Sequence, residues 1–165
     1  MDDIEEENFD LSRFMEHFPI EGDSTLQVLK GHLLLEELLR DIFELQLPHP
    51  TALKGNKGAS YDCHQIICLV EAITPVSHTV PWIWEGAKKL NNIRNNLAHQ
   101  LTPKGLDQKI DDLIECVKTQ SPEIDEVRQE VPEADGHDLF LIIIAMCACL
   151  SSLKAILIEN ANHNA

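Results

Sequence analysis

The spacing of apolar residues constrains the fold of this chain most strongly. After Asp23-Ser24, which suits a helix N-cap, apolar residues recur at steps of three and four residues. These residues are Leu26, Leu29, Leu33, Leu34, Leu38, Ile42 and Leu45. This period is typical of an amphipathic α-helix, and no segment shows the strict alternation of a half-exposed strand. The pattern therefore predicts an all-α fold.

The same period, read together with the prolines, predicts about five helices. Pro81 suits the first turn of one helix and Pro103 the start of another. The predicted helices span residues 24–46, 61–74, 81–99, 104–119 and 138–160. The acidic segment 120–136 is predicted to be a loop that holds at most one short turn. The helices are expected to form an up-and-down bundle, with the apolar last helix either at its centre or at a dimer seam.

The apolar run from Leu139 to Leu150 is shorter than the about 18–20 residues that cross a bilayer, so we predict a buried helix and no membrane partner. The chain has five cysteines, no signal peptide and no close Cys-x-x-Cys pair, which predicts free thiols in the cytoplasm. Cys63-His64 is the only adjacent Cys–His pair, and a second pair at ligand spacing is missing. We therefore predict no metal and no cofactor.

The net charge of −15 would disfavour a phosphate-rich partner if it were spread evenly. It is not: residues 1–23 hold nine acids and one Arg, whereas residues 86–109 hold five basic residues and one Asp. We predict a mobile acidic leader over 1–23, a single helical domain over 24–160 and a frayed tail over 161–165. The leader is either solvated, folded over the positive segment, or a recruiter of a basic partner.

The positive segment also contains the densest polar cluster, Asn91-Asn92-Ile93-Arg94-Asn95-Asn96-Leu97-Ala98-His99. Four Asn weaken a helix, so this cluster needs a reason other than helix stability. Arg offers a forked, permanently charged donor to a phosphate, and His transfers protons near neutral pH. The cluster therefore indicates a surface for phosphate and sugar.

Helix geometry qualifies this prediction. At 100° per residue, Asn95 and His99 lie about 40° apart, whereas Arg94 and His99 lie about 140° apart. Either the helix ends or distorts near His99, or a second copy of the chain completes the site.

The sequence from Arg94 to His99 resembles the Arg-x(4–6)-His signature of HEPN domains (higher eukaryotes and prokaryotes nucleotide-binding), with the polar Asn95 directly after the Arg. The resemblance covers about residues 24–118. There, a long helix with Leu33-Leu34-Leu35-Glu36-Glu37-Leu38-Leu39, a Gly-Lys loop and a second helix precede the motif. It implies a HEPN-like bundle that dimerises and brings two motifs into one cleft.

The resemblance further implies a metal-independent endoribonuclease of the toxin or defence type. Arg94 would hold the scissile phosphate, His99 would transfer protons as the RNA 2′-hydroxyl attacks, and Asn95 would orient one of these groups or the substrate. The predicted RNA-binding residues are Lys88, Lys89, Asn91, Asn92, Asn96 and Lys104. The implied partners are RNA, a second copy of the chain, and an antitoxin or a nucleotidyltransferase-like protein.

An alternative follows from the acidity of the chain. Some members of this family keep the fold but only bind nucleotides or proteins, and a non-catalytic regulatory dimer needs less basic surface. In either case His32 and His64, which lie on mainly apolar helices, are predicted to be hydrogen-bonded or half-exposed histidines and not metal ligands.

Overall fold

The computed structural model describes residues 16–54, 61–100 and 103–163, and none of these residues lies in a β-strand. The described α-helices are α1 (Ser24–Leu45), α2 (Thr51–Lys54), α3 (Cys63–Ile73), α4 (Pro81–His99), α5 (Leu106–Lys118), α6 (Glu123–Glu130) and α7 (Asp138–His163). Two short 3-10 helices, Ser77–Thr79 and Pro132–Ala134, lie between them. The all-α prediction is confirmed for the described residues, although they contain more helices than predicted.

Aspartate side chains cap the N-termini of α1 and α3, two of the helices that line the candidate site. The Asp23 carboxylate accepts the N–H of Thr25 at the start of α1. Asp62 and Gln65 form a reciprocal capping box at the start of α3, which satisfies two backbone donors at once. Residues 55–60, which include most of the predicted Gly-Lys loop, lie outside the described part of the chain.

Helix α7 is the centre of the bundle and packs against α1, α4, α5 and α6. Gly31 permits the close approach of α1, because a Cβ at this position would lie 2.8 Å from two carbon atoms of Ile143. The apolar last helix was predicted to lie either at the centre of the bundle or at a dimer seam, and in the described residues it lies at the centre.

Helix α7 is the one described helix that is long and apolar enough to cross a membrane, with a mean hydropathy of 2.5 in its most apolar window. Nearly all of the run from Leu139 to Leu150 is buried against neighbouring helices. The prediction of a buried core helix is confirmed for this run.

The prediction of a loop over 120–136 is wrong. Helix α6 and the 3-10 helix Pro132–Ala134 occupy most of this segment, and α6 packs against α7. Ile124, Val127 and Val131 recur at three- and four-residue steps and are all buried. Their apolar stripe drives the segment onto the core although its other positions are mostly acidic.

The core also includes part of the predicted leader. Phe18 is 1% exposed, and its ring centroid lies 5.4 Å from that of Phe140 on α7. The Gln27 side chain donates to the backbone oxygens of Pro19 and Ile20, which fixes this segment against α1. Residues 1–15 lie outside the described part of the chain, so the mobility of the leader stays a prediction.

The other end of the predicted domain differs by a few residues. Helix α7 continues to His163, three residues into the segment that we predicted as a frayed tail. Residues 164–165 lie outside the described part of the chain.

Candidate functional site

Helix α4 carries the polar cluster and is fixed at both ends. Pro81 occupies its first turn, and the Trp84 indole N–H donates to the backbone oxygen of Ser77 at 3.0 Å. At the other end Gln100 is extended and donates its N–H to Asn96. The helix therefore stays regular to its last residue, His99.

A polar pocket of about 410 Å³ lies between α1, the start of α3, and α4. It contains Arg94 and Asn95 of the predicted catalytic set and Asn91 of the predicted RNA-binding set. The remaining lining residues are His32, Glu36, Arg40, Tyr61, Asp62, Cys63 and His64. The pocket thus combines the motif arginine with polar groups from two other helices.

Arg94 is half-buried in this pocket, and its Nη1 donates to Asn95 Oδ1 at 3.1 Å. Among the described residues, no carboxylate oxygen lies within 4.0 Å of an Arg94 nitrogen, so Arg94 forms no ion pair with them. Its positive charge is therefore available to an anion that enters the pocket.

His99 lies elsewhere. It is exposed at the end of α4 and does not line the pocket. Since α4 does not distort before His99, a single chain does not bring Arg94 and His99 into one pocket.

The two predicted RNA-binding lysines of α4 have acidic partners. Lys88 forms an ion pair with Glu71 of α3, and Lys89 lies 3.8 Å from Glu85 one turn earlier. These partners neutralise much of the positive charge that the sequence places before the motif.

The remaining predicted RNA-binding residues are dispersed. The Asn96 side chain donates to both oxygens of Asn92, whose Oδ1 also lies 3.5 Å from Lys109 Nζ. Lys104 is exposed beyond the end of α4. None of Asn92, Asn96 and Lys104 lines the Arg94 pocket.

Asn91 is 5% exposed, and its Oδ1 lies 2.9 Å from Nε2 of His32, which is 1% exposed. An amide oxygen only accepts hydrogen bonds, so Nε2 carries the proton and Nδ1 presents its lone pair. Burial lowers the pKa of His32 from its usual 6.5, against the opposing effects of Asn91 and Glu36. The ring is therefore neutral at pH 7.

The Nδ1 atom of His32 lies 3.7 Å from Glu36 Oε2 and has no hydrogen-bond partner among the described residues. Cys63 completes a group of three: one ligand atom each from His32, Glu36 and Cys63 lie within 4.8 Å of one another. Burial, with a smaller effect of Glu36, raises the pKa of Cys63 to about 11. These donors are of the types that bind a metal ion.

Sequence reasoning missed this group because its members come from two helices. The available signals were the spacing of His32 and Glu36, which places them one turn apart on one face of α1, and the Cys63-His64 pair. Nothing in the sequence shows that α1 and α3 bring them together.

A second cavity, of about 480 Å³, lies where α4 ends and α5 begins. Among the described residues that line it, Asp107 alone is charged, so these residues offer no cation to a phosphate. The residues around it are Thr25, Leu97, Gln100, Pro103, Gly105, Leu106 and Asp107.

No protein-family model, no curated protein and no solved structure matches this chain. The HEPN resemblance stays a hypothesis that rests on the motif from Arg94 to His99 and the helices around it.

Proposed function

We propose that this chain is a HEPN-like, metal-independent endoribonuclease of the toxin or defence type, which acts on RNA in the cytoplasm as a homodimer. The observation that carries the proposal is Arg94, a guanidinium without a carboxylate partner among the described residues, in an open polar pocket. A half-buried guanidinium without a counter-ion keeps its charge and its donors for an anion such as a phosphate.

In the proposed reaction the RNA 2′-hydroxyl attacks the adjacent phosphorus, and the P–O bond to the 5′ oxygen of the next nucleotide breaks. The products are a 2′,3′-cyclic phosphate and a free 5′-hydroxyl. Arg94 stabilises the charge on the phosphate oxygens, and Asn95, which accepts a hydrogen bond from Arg94, holds the guanidinium in place. His99 makes one of the two proton transfers, from the 2′-hydroxyl or to the leaving 5′ oxygen, and water makes the other.

The homodimer would supply the histidine that the Arg94 pocket lacks. Leu26, Leu29 and Leu33 form an exposed apolar stripe on α1, and Leu33 is 63% exposed. On a helix surface Leu29 lies only about 20° from Glu36, a residue of the pocket wall. A second copy that covers this stripe would be adjacent to the pocket and could contribute His99 to it.

The main experiment is inducible expression of the parent chain, Arg94→Ala and His99→Ala, with growth and RNA integrity as readouts. The parent should degrade RNA, and both variants should lose this activity. Arg128→Ala and His163→Ala are matched controls, because Arg128 pairs with Asp125 and His163 is exposed at the end of another helix. The proposal fails if Arg94→Ala and His99→Ala both degrade RNA as fast as the parent.

A shared site gives a sharper result when the two inactive variants are expressed together. In a heterodimer of Arg94→Ala and His99→Ala, one of the two composite sites contains an intact arginine and an intact histidine. Random pairing should restore about one quarter of the parent activity if subunits mix freely. If each site takes both residues from one chain, the mixture stays inactive.

Whether this stripe is the dimer interface is tested by measuring the molecular mass of the protein in solution. Leu33→Asp should convert a dimer to a monomer, whereas Ile156→Asp, at an exposed apolar residue of α7, should leave it dimeric. A parent chain that is monomeric at micromolar concentration would contradict the dimer.

An antitoxin or a nucleotidyltransferase-like protein is the proposed partner that restrains the activity. The acidic leader is proposed to be solvated. Truncation of residues 1–15 should then leave RNA affinity at two salt concentrations unchanged, whereas a gain at low salt would indicate that the leader covers the basic segment.

The second candidate function is a non-catalytic dimer that binds a nucleotide or a protein. The ion pairs of Lys88 and Lys89 favour it, because they reduce the basic surface available to RNA. Under this alternative RNA stays intact in all strains, and Arg94→Ala weakens nucleotide binding.

A further inference from the structure

We propose that His32, Glu36 and Cys63 form a binding site for a soft divalent cation of the Zn²⁺ type in the wall of the Arg94 pocket. This inference goes beyond the proposed ribonuclease and does not depend on it, since cleavage by Arg94 and His99 uses no metal.

The three donor atoms are already close to a metal-binding arrangement. They lie within 4.8 Å of one another, and the His32 Nδ1 to Glu36 Oε2 distance is 3.7 Å. In a tetrahedral zinc site, metal–ligand bonds of about 2.0–2.3 Å place neighbouring donor atoms about 3.3–3.6 Å apart. Side-chain rotations that bring the donors about 1 Å closer would therefore complete the site.

His32 is oriented as a ligand by its second nitrogen. The Asn91 amide oxygen holds Nε2 at 2.9 Å, which fixes the tautomer and aims the Nδ1 lone pair at Glu36. That lone pair is buried, has no hydrogen-bond partner among the described residues, and faces another acceptor. Two acceptors that face each other repel, and a cation between them removes this repulsion.

Glu36 is oriented in the same way. Arg40 donates from Nε and Nη2 to Glu36 Oε1, at 3.0 and 2.6 Å, so Oε2 is the oxygen that faces His32. Each of these two ligands therefore has a partner that holds its unused atom, as is usual around metal sites.

Cys63 supplies the preference for a soft cation. It is buried at the start of α3, and its thiol keeps its proton at neutral pH. On binding, the sulfur bonds to the cation and the thiol proton leaves to solvent. The thiolate and the Glu36 carboxylate, which also pairs with Arg40, then offset part of the double positive charge. A thiolate ligand favours Zn²⁺ or Co²⁺ over Mg²⁺ and Ca²⁺.

Arg94 opposes this cation, because it places a positive charge on the same pocket. The variant Arg94→Ala should therefore bind the cation more tightly, although the same variant is expected to lose RNA cleavage. Three protein ligands also leave one position of the tetrahedron for water or for an oxygen of a bound molecule.

The test is titration of the chelator-treated full chain with Co²⁺, whose thiolate and tetrahedral absorption bands report the ligands directly. We expect one Co²⁺ per chain with a thiolate band, and displacement by Zn²⁺ but not by Mg²⁺. His32→Gln and Cys63→Ser should each weaken binding at least about tenfold, and Arg94→Ala should tighten it several-fold. Circular dichroism confirms that each variant is folded.

The matched control is the double variant His64→Gln/Cys68→Ser. These residues form a second His–Cys pair close by, with 3.7 Å between His64 Nε2 and Cys68 Sγ. The control should bind Co²⁺ like the parent. Loss of binding in the control, with retention in Cys63→Ser, would overturn the proposal.

A measurement on the parent alone avoids any folding defect of the variants. Because Cys63 is buried and has a raised pKa, it is alkylated slowly, through openings of the fold. Zn²⁺ should slow this alkylation at least about tenfold over hours, as mapped by mass spectrometry, while Cys68 reacts at an unchanged rate. Equal Cys63 labelling with and without saturating Zn²⁺ would contradict the proposed site.

Discussion

The imidazole of His32 on α1 and the side-chain amide of Asn91 on α4 form a buried hydrogen bond, with 2.9 Å between Nε2 and Oδ1. The two residues are 59 positions apart in the sequence, so the bond joins two helices and not one turn to the next. A buried polar group without a partner costs about 1–3 kcal/mol, which makes the pair a constraint on how α1 and α4 pack.

Asn91→Ala should lower the free energy of unfolding by about 2–3 kcal/mol, because it leaves both ring nitrogens of His32 without a partner and opens a small cavity. Denaturant unfolding measures the change. Asn92→Ala is the control, since Asn92 is exposed one position later and should change stability by less than about 0.5 kcal/mol. The double variant His32→Leu/Asn91→Leu should lose less than the sum of its single variants, and additivity would contradict the coupling.

The helical period was enough to predict α1, α3, α4, α5 and α7 to within about three residues of each end, because each has an apolar face at three- and four-residue steps. It failed for α6. There Ile124, Val127 and Val131 are separated by polar, mostly acidic residues, and the flanking prolines indicate a loop. The short stripe is helical because it packs against α7, and that contact is not visible in the local sequence.

The candidate site was predictable only in part, for a similar reason. Arg94 and Asn95 are adjacent on one helix, so one motif contains both. His32 and Cys63 are far apart in the sequence, and their meeting depends on how α1 and α3 pack against α4. The angle of about 140° between Arg94 and His99 on an ideal helix predicts that one chain does not place them side by side, and completion of the site by a second copy stays a prediction.

Gly31→Ala should destabilise the chain by about 1–3 kcal/mol, although alanine favours a helix over glycine by about 1 kcal/mol. The added Cβ would lie 2.8 Å from two carbon atoms of Ile143, which is fully buried and cannot move aside. Thermal unfolding checks the sign. Gly86→Ala is the contrast, because its nearest neighbours lie at 3.1 Å and include the flexible end of Met146, so its effect should be near zero.

Stability should fall as the pH rises above about 9, partly because of Cys147. Burial raises the pKa of Cys147 to about 12, compared with 9.0 for a free thiol. Between these values the unfolded chain loses the thiol proton and the folded chain keeps it, so folding becomes less favourable by at most about 1.4 kcal/mol per pH unit. Unfolding of the parent and Cys147→Ala at pH 8 and pH 10 measures this loss.

The loss on going from pH 8 to pH 10 should be smaller in Cys147→Ala than in the parent. Cys68→Ala is the control, because it removes a thiol that is only half-buried. An identical pH profile in all three proteins would show that Cys147 does not contribute to the alkaline loss.

Phe18→Ala should lower the free energy of unfolding by about 3–5 kcal/mol, whereas truncation of residues 1–15 should change it little. The reason is that Phe18 is 1% exposed and packs against Phe140 of the central helix, while the residues before it are predicted to be a solvated leader. Urea unfolding of both proteins, with the parent as reference, compares the two effects. A truncation as destabilising as Phe18→Ala would mean that the acidic segment itself packs on the bundle, and the domain would then begin before residue 16.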